Sequence, residues 1–268
     1  MLTQWRMSRE PVFATYAEAA RSRGQDYQDE ELAQIVLNKT RHLVQDASFQ
    51  HIAEHQAVAT VLAVTTASAL APRGDRPLRV LDFGGALGTS YHFIKERLPG
   101  NYAWAVVETP MFVKAGREFE TDELRFFETI EEATAWLGEI DLIYTSSAVQ
   151  YMPDPLATLD LFLAANPRCV ALLRSAFSEN DQVVVLQRSR LRDNGPGPLP
   201  AGVRDRPVYY PRTYAPIEGL REKFASNYRT VVEHGDGTPL IYVGGQRIVM
   251  GGNYLFARRT ELEPSRSA

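Results

Sequence analysis

One cysteine, Cys169, in 268 residues leaves no way to close an internal disulfide, which fits a cytoplasmic chain better than a secreted one. Cys169 lies in the apolar run CVALL, where it reads as a small buried hydrophobe. Nothing in the sequence reaches the roughly 18 apolar residues that span a bilayer. The longest candidate, Ala57 to Ala71, is shorter and is broken by Thr and Ser. The N-terminal MLTQWRMSRE has no apolar core of signal-peptide type. A large excess of either charge is also missing: the net charge of -4 argues against nucleic acid or an anionic membrane as the main partner. No internal repeat or low-complexity tract is found. What remains is an ordinary globular composition, long enough for one large domain and an accessory segment.

The rhythm of the chain changes once. From Pro11 to about Ala71, the stretches FATYAEAARS, EELAQIVLNKTRHLV and QHIAEHQAVATVLAVTTASAL space apolar residues three and four apart, which predicts helices. The turn-rich APRGDRP follows, and sets a boundary between residues 1–74 and 75–268. Beyond it the short runs LRVLDF, YAWAVVE, LRFF, DLIYTS and CVALLRS alternate with helical stretches. Strands and helices in this alternation predict an α/β fold with a parallel, doubly wound sheet. Gln187 to Pro216, rich in Arg, Pro and Gly, reads as a long surface loop. IEGLREKFASN then reads as a helix, TVVEH as a strand, YVGGQRIVMGGNYLFARR as an antiparallel hairpin, and the terminal EPSRSA as frayed.

Open α/β sheets bind ligands at the carboxyl ends of their strands. After the first strand comes Asp82-Phe83-Gly84-Gly85-Ala86-Leu87-Gly88, a glycine-rich turn running into a helix. Such turns serve dinucleotides or S-adenosylmethionine (SAM), and Asp82 chooses between them. A carboxylate there repels a pyrophosphate, whereas SAM has no phosphate and carries a sulfonium and an ammonium. The spacing also misses G-x-G-x-x-G and the P-loop pattern. Gly84, Gly85, Gly88 and Asp82 are therefore expected to bind SAM. Glu108 ends the second strand, where it can accept both ribose hydroxyls or cap the next helix. Glu128, Thr129 and Ile130 follow the third strand and either border the adenine or cap a helix.

The fourth strand ends in DLIYTSSAVQYMPDP, which places Ser146 among the cofactor-binding residues and Ser147 and Tyr151 near the reacting carbon. The Tyr151 ring can meet a sulfonium or simply pack. Arg174, Ser175, Ser178 and Asn180 are expected on the same rim, at the end of the fifth strand. This rim shows no clear catalytic base, though His92, Glu179 and Asp181 are candidates. A carboxylate could be held by one arginine of Arg188, Arg190, Arg192, Arg204, Arg206 and Arg212. His51-Ile52-Ala53-Glu54-His55 matches the H-x-x-E-H zinc pattern, but lies in the helical segment without an evident third ligand, so no metal is expected.

DFGGALGTSYHF, WAVVETPMFVKAGREFE, YTSSAVQYMPDP and GGNYLFARR, with FATYAEAA and VYYPRTY, together resemble one family of class I SAM-dependent methyltransferases, over roughly Phe13 to Arg259. The resemblance implies a Rossmann-like seven-stranded methyltransferase sheet (75–268), with residues 1–74 as a helical lid. It departs from the general D/E-x-G-x-G-x-G pattern at Ala86. One branch of the family, the azetidine-2-carboxylate synthases of nonribosomal peptide pathways, closes SAM on itself and releases methylthioadenosine. That chemistry needs hydroxyls and an aromatic ring rather than an acceptor pocket, and would assign Tyr151, Ser147, Ser175 and Ser178 as catalytic. Two alternatives stand beside it: methyl transfer to an O or N of a small molecule, and a non-catalytic SAM-binding partner of a synthetase. The partner in the enzymatic readings is a small molecule, and a homo-oligomer is open.

Overall fold

In the computed structural model, residues 6–7, 10–23, 30–46, 49, 52, 54–71, 74–235, 241–243 and 246–262 are described. Two short strands, β1 (Arg6–Met7) and β2 (Val12–Phe13), precede three helices, α1 (Tyr16–Arg23), α2 (Glu30–Asp46) and α3 (Glu54–Leu70). The α/β alternation follows as β3 (Leu78–Phe83), α4 (Thr89–Arg97), β4 (Tyr102–Val107), α5 (Pro110–Gly116), β5 (Leu124–Phe127), α6 (Ile130–Leu137), β6 (Leu142–Ser146), α7 (Pro155–Ala164) and β7 (Cys169–Ser178). Then come β8 (Val183–Arg190), β9 (Pro207–Tyr214), α8 (Ile217–Ala225), β10 (Tyr228–Gly235), β11 (Ile241–Val243), β12 (Gln246–Arg258) and α9 (Arg259–Leu262).

The expected seven-stranded sheet is present as β5-β4-β3-β6-β7-β12-β10, parallel except for β12, with β11 and β1 extending it beyond the early part of β12. The strands are almost wholly apolar because both faces are covered by helices. On one face Val80, Trp104 and Tyr144 pack with Val64 and Ala67 of α3 and Ile94 of α4. Leu81, Ala105 and Ile143 on the other face pack with Ala133 of α6, Leu159 of α7 and Leu220 of α8. Thus α3, although inside residues 1–74, belongs to the same core as the sheet. Chain order proceeds outward from β3 through β4 to β5, then crosses back to β6 and β7. The switch point lies between β3 and β6, and a crevice at their carboxyl ends is the geometric consequence.

The surface loop expected over Gln187–Pro216 is corrected. Gln187 lies in β8, and Pro207–Tyr214 is β9; they pair antiparallel from Val183↔Tyr214 to Arg190↔Pro207, and β2 adds a third strand. Val208, Tyr210 and Tyr214 are buried on this second sheet. Val208 and Tyr210 join Leu32, Ile35 and Val36 of α2, with Leu87 and Phe112, in a cluster beside the glycine turn. The zinc pattern is described only in part: His51 and Ala53 lie outside the described residues, as does the EPSRSA tail. Among the described residues no cluster of His, Cys, Asp and Glu could hold a metal, and no helix is long and apolar enough to cross a membrane.

Candidate functional site

A cavity of about 550 Å³ opens where the switch point places it, within the range of small-molecule sites. Phe83 and Gly84 line it after β3, Val107 to Pro110 after β4, Glu128 and Thr129 after β5, and Ser147 and Ala148 after β6. Tyr151, Met152 and Pro153 form a further wall, with Tyr16 from α1 and Tyr210 and Pro211 from β9. Tyr16, Met152, Tyr210 and Pro211 were not singled out from the sequence. Tyr16 reaches the wall across 135 positions, its hydroxyl donating to the Tyr151 carbonyl (2.9 Å).

The turn is built by local necessity. A Cβ on Gly84 (φ +70°) would lie 2.3 Å from the Ala148 Cβ, and one on Gly85 would lie 2.5 Å from the Asp82 carboxyl carbon. Gly88, at φ 77°, starts α4. Ala86 stands at φ 50°, a left-handed conformation that costs a non-glycine residue about 1–2 kcal/mol. What holds it is Glu108: the Ala86 N–H donates to Oε1 (3.0 Å), while Oε2 accepts from the Thr109 N–H (2.9 Å). Glu108 thus holds the backbone just ahead of α5, which itself has no side-chain cap. Each oxygen keeps a second lone pair, and Glu108 lines the cavity. Thr129 caps α6 in a reciprocal capping box with Glu132, and also lines the cavity.

Asp82 is 1% exposed and lies beneath Gly85 rather than in the cavity wall. Its Oδ2 accepts from the Trp104 indole N–H (3.0 Å); its Oδ1 has no hydrogen-bond partner. Burial, with the nearby Glu108 adding to it, pushes this carboxyl up to about 7 against the Trp104 hydrogen bond. Burial also raises Glu108, opposed by its two backbone hydrogen bonds. Neither carboxylate has a lysine or arginine partner among the described residues. The glycine turn is therefore flanked by two acidic groups without a compensating cation.

The expected catalytic group divides. Ser147 lines the cavity at φ 60° and accepts from Gln150 Nε2 (3.0 Å). Tyr151 lines it too, but the Arg212 guanidinium already stands 4.8 Å from its ring centroid and donates to its hydroxyl, which donates to Gln187 Oε1 (2.9 Å). Ser175 and Ser178 are corrected: both are buried within β7 and neither lines the cavity. β7 runs on past Arg174, so their hydroxyls turn to the carbonyls of Leu173 (3.4 Å) and Tyr214 (3.2 Å). Ser146 Oγ accepts from Arg174 Nε (3.0 Å). Of the candidate bases, His92 packs edge-on against Tyr91 and Phe119, and burial lowers it to about 4. Glu179 is exposed beside Arg247 (3.5 Å).

No described protein family matches this chain, and no curated protein does either. Solved structures are similar at low identity. An S-adenosylmethionine-dependent methyltransferase from Clostridium acetobutylicum is 9% identical, with 82% of this chain and 98% of that one covered at a TM-score of 0.47. A sugar N-methyltransferase from Streptoalloteichus is 16% identical over 77% of this chain and 88% of that one, also at 0.47. An amino pentose methyltransferase from Micromonospora echinaspora, involved in calicheamicin biosynthesis, is 15% identical over 75% and 91%, at 0.44. Each is a protein this chain is similar to.

Proposed function

We propose that the chain is a SAM-utilising transferase acting in the cavity at the β3–β6 switch point. The observation that carries this is the pair of uncompensated carboxylates, Asp82 and Glu108, on either side of the glycine turn. A buried charge without a partner is costly, and a cationic ligand relieves it. A pyrophosphate would add a third negative charge to the same turn. When bound, SAM supplies an activated carbon–sulfur bond, at its methyl or at the γ-carbon of its aminocarboxypropyl chain.

In this reading the free lone pairs of Glu108 accept the ribose hydroxyls, and Glu128 and Thr129 border the adenine. Gly84 and Gly85, having no Cβ, let the turn pass close against Ala148 and over the Asp82 carboxyl. α1, through Tyr16, acts as the lid proposed for the N-terminal segment and helps exclude water.

For the reaction, our reading is ring closure to azetidine-2-carboxylate: the α-ammonium first gives one proton to water, the freed nitrogen lone pair then forms the bond to the γ-carbon, the carbon–sulfur pair goes to sulfur and methylthioadenosine leaves. Beyond Glu108 and Glu128, the described lining holds the hydroxyl residues Ser147, Thr109, Thr129, Tyr16, Tyr151 and Tyr210 but no His, Lys or Asp, which suits orientation more than base catalysis. Ser147 and Tyr151 remain as orienting groups; Ser175 and Ser178 do not. The Tyr151 ring already meets the Arg212 guanidinium and, edge-on at 6.0 Å, the Tyr210 ring, so it acts here through its place in the cavity wall. A second reading, methyl transfer to a small O or N acceptor, is favoured by the reach of the cavity past Ser147 to Tyr210 and Pro211.

Incubating the purified protein with SAM alone separates the two. Ring closure yields methylthioadenosine above the enzyme-free control. Methyl transfer yields S-adenosylhomocysteine, and only when an acceptor is added.

A further inference from the structure

Arg174 does not itself line the cavity, but it meets Ser146 and Gln150 on either side of the lining residue Ser147, and the proposed chemistry has not used it. Its φ is 50°, and with Ala86 and Ser147 it makes three left-handed non-glycine residues around one rim. Strain of this kind is held only where surrounding structure enforces it, and it gathers at functional sites. Here the enforcement is visible. The Arg174 N–H donates to Asn253 Oδ1 (3.1 Å), and its carbonyl accepts from Gln150 Nε2 (3.4 Å). The β7–β12 register shifts at this point, with Gly252 opposite Ser175 and Tyr254 opposite Leu172.

The kink changes which way the side chain goes. Strict alternation along β7 would send residue 174 to the face of Val170 and Leu172, against α7 and α8. Instead Arg174 Nε meets Ser146 Oγ at the end of β6, on the side of Tyr144 and the glycine turn. The side chain is half-buried, and neither Nη1 nor Nη2 has an acceptor among the described residues. Tyr144 lies within electrostatic reach of both Arg174 and Asp82, yet those two charges form no ion pair with each other. Uncompensated carboxylates thus stand on the β3–β4 side of the cavity, and on its β6–β7 side, behind the lining residue Ser147, stands a guanidinium whose Nη atoms have no acceptor among the described residues. A ligand group bearing an ammonium and a carboxylate on one carbon matches that separation of charge, and the fork is the geometry that takes a carboxylate.

We propose that Arg174 binds the α-carboxylate of the aminocarboxypropyl chain, positioned by Ser146, Gln150 and Asn253. This rests on the SAM reading above. The test is calorimetric binding of SAM and of methylthioadenosine, which has the adenosine and the thioether but no amino-acid chain. Arg174→Met should weaken SAM by about 30-fold, the scale of losing a charged hydrogen-bonded pair, and leave methylthioadenosine unchanged. Arg174→Lys should recover part of the loss. Ser146→Ala, which frees the Nε but keeps the charge, should weaken SAM by a smaller factor, again without touching methylthioadenosine. An unchanged SAM affinity in Arg174→Met overturns the proposal, and so does an equal fall for both compounds, which marks a structural role. Wild-type protein that binds neither compound overturns the SAM reading itself.

Discussion

Two aspartates are buried in the same sheet, at opposite ends of it, and they are treated in opposite ways. Asp141, fully buried just before β6, accepts a bidentate pair of hydrogen bonds from Arg76 (2.7 Å each) and another from the Arg79 N–H (3.0 Å). Arg168 stands 3.4 Å away on a further side. Asp82, at the carboxyl end of β3, has one indole N–H and an orphaned oxygen. The amino end of the sheet satisfies its buried charge from within the chain, and the carboxyl end leaves its charge for something else. An end left unsatisfied in this way is where a fold gives up stability for binding.

Removing each aspartate should break the comparison most sharply. Asp141→Ala strands two arginines around a missing carboxylate and should cost about 3 kcal/mol, the lower range for breaking a buried pair, given that both arginines are partly solvated. The midpoint of urea unfolding reads this, and SAM affinity should be unchanged. Asp82→Asn should show the reverse: little stability lost, and SAM bound more weakly. A larger stability loss in Asp82→Asn than in Asp141→Ala contradicts the contrast.

Glu108→Ala comes next in size. Loss of hydrogen bonds to a charged group should weaken SAM by roughly 1.5–3 kcal/mol, or about 10- to 100-fold, by calorimetry. Wild-type affinity in this variant rules out the ribose role.

A smaller effect lies in the pH dependence of unfolding. Asp82 is raised from 3.8 to about 7, so between these values the native state keeps a proton that the unfolded chain has lost. Its contribution to stability is full at low pH and falls as pH rises through 7. His92, lowered from 6.5 to about 4, does the opposite: the native state stays neutral where the unfolded chain is charged, so its contribution falls as pH drops towards 4. The two slopes oppose each other in the wild type. Asp82→Asn should leave the His92 slope alone, so its unfolding midpoint should rise from about pH 4 to about pH 6.5 more steeply than that of wild type. Parallel profiles would show that Asp82 does not titrate in this range.

The smallest expected change is Ala86→Gly. It removes a left-handed alanine at the price of a more flexible unfolded chain, and should raise stability by no more than about 1 kcal/mol while leaving SAM binding intact. A loss of stability on thermal melting would mean that the Glu108 hydrogen bond depends on the alanine.

What could be read from the sequence follows from what each segment buries. YAWAVV is legible as a parallel strand because both its faces are covered, so apolar residues run without interruption, and in LRVLDF only Arg79 and Asp82 break the same pattern. β8 and β9 were hidden by Arg188, Arg190, Arg212 and Pro211, residues typical of loops. Only the structure shows that Arg212, 8% exposed, turns inward onto Tyr151. Arg174 misled in a different way: a charged residue after an apolar run looks like a strand end, but here it is a kink within a longer strand. That error placed Ser175 and Ser178 on the rim. FATYAEAA and VYYPRTY carry the resemblance, but nothing local in them points Tyr16 and Tyr210 to the cavity wall, where their place depends on the second sheet. At Thr129 the helix cap is seen directly, and the same residue lines the cavity. Asp82 was found in the sequence by position, but not its burial beneath Gly85.

The most direct measurement is a calorimetric titration of the wild-type protein with SAM and, separately, with NADH. If the uncompensated carboxylates of Asp82 and Glu108 define a cation site, SAM binds at one site per chain and NADH, with its pyrophosphate, does not. Saturable binding of NADH with none of SAM would contradict the account at its centre.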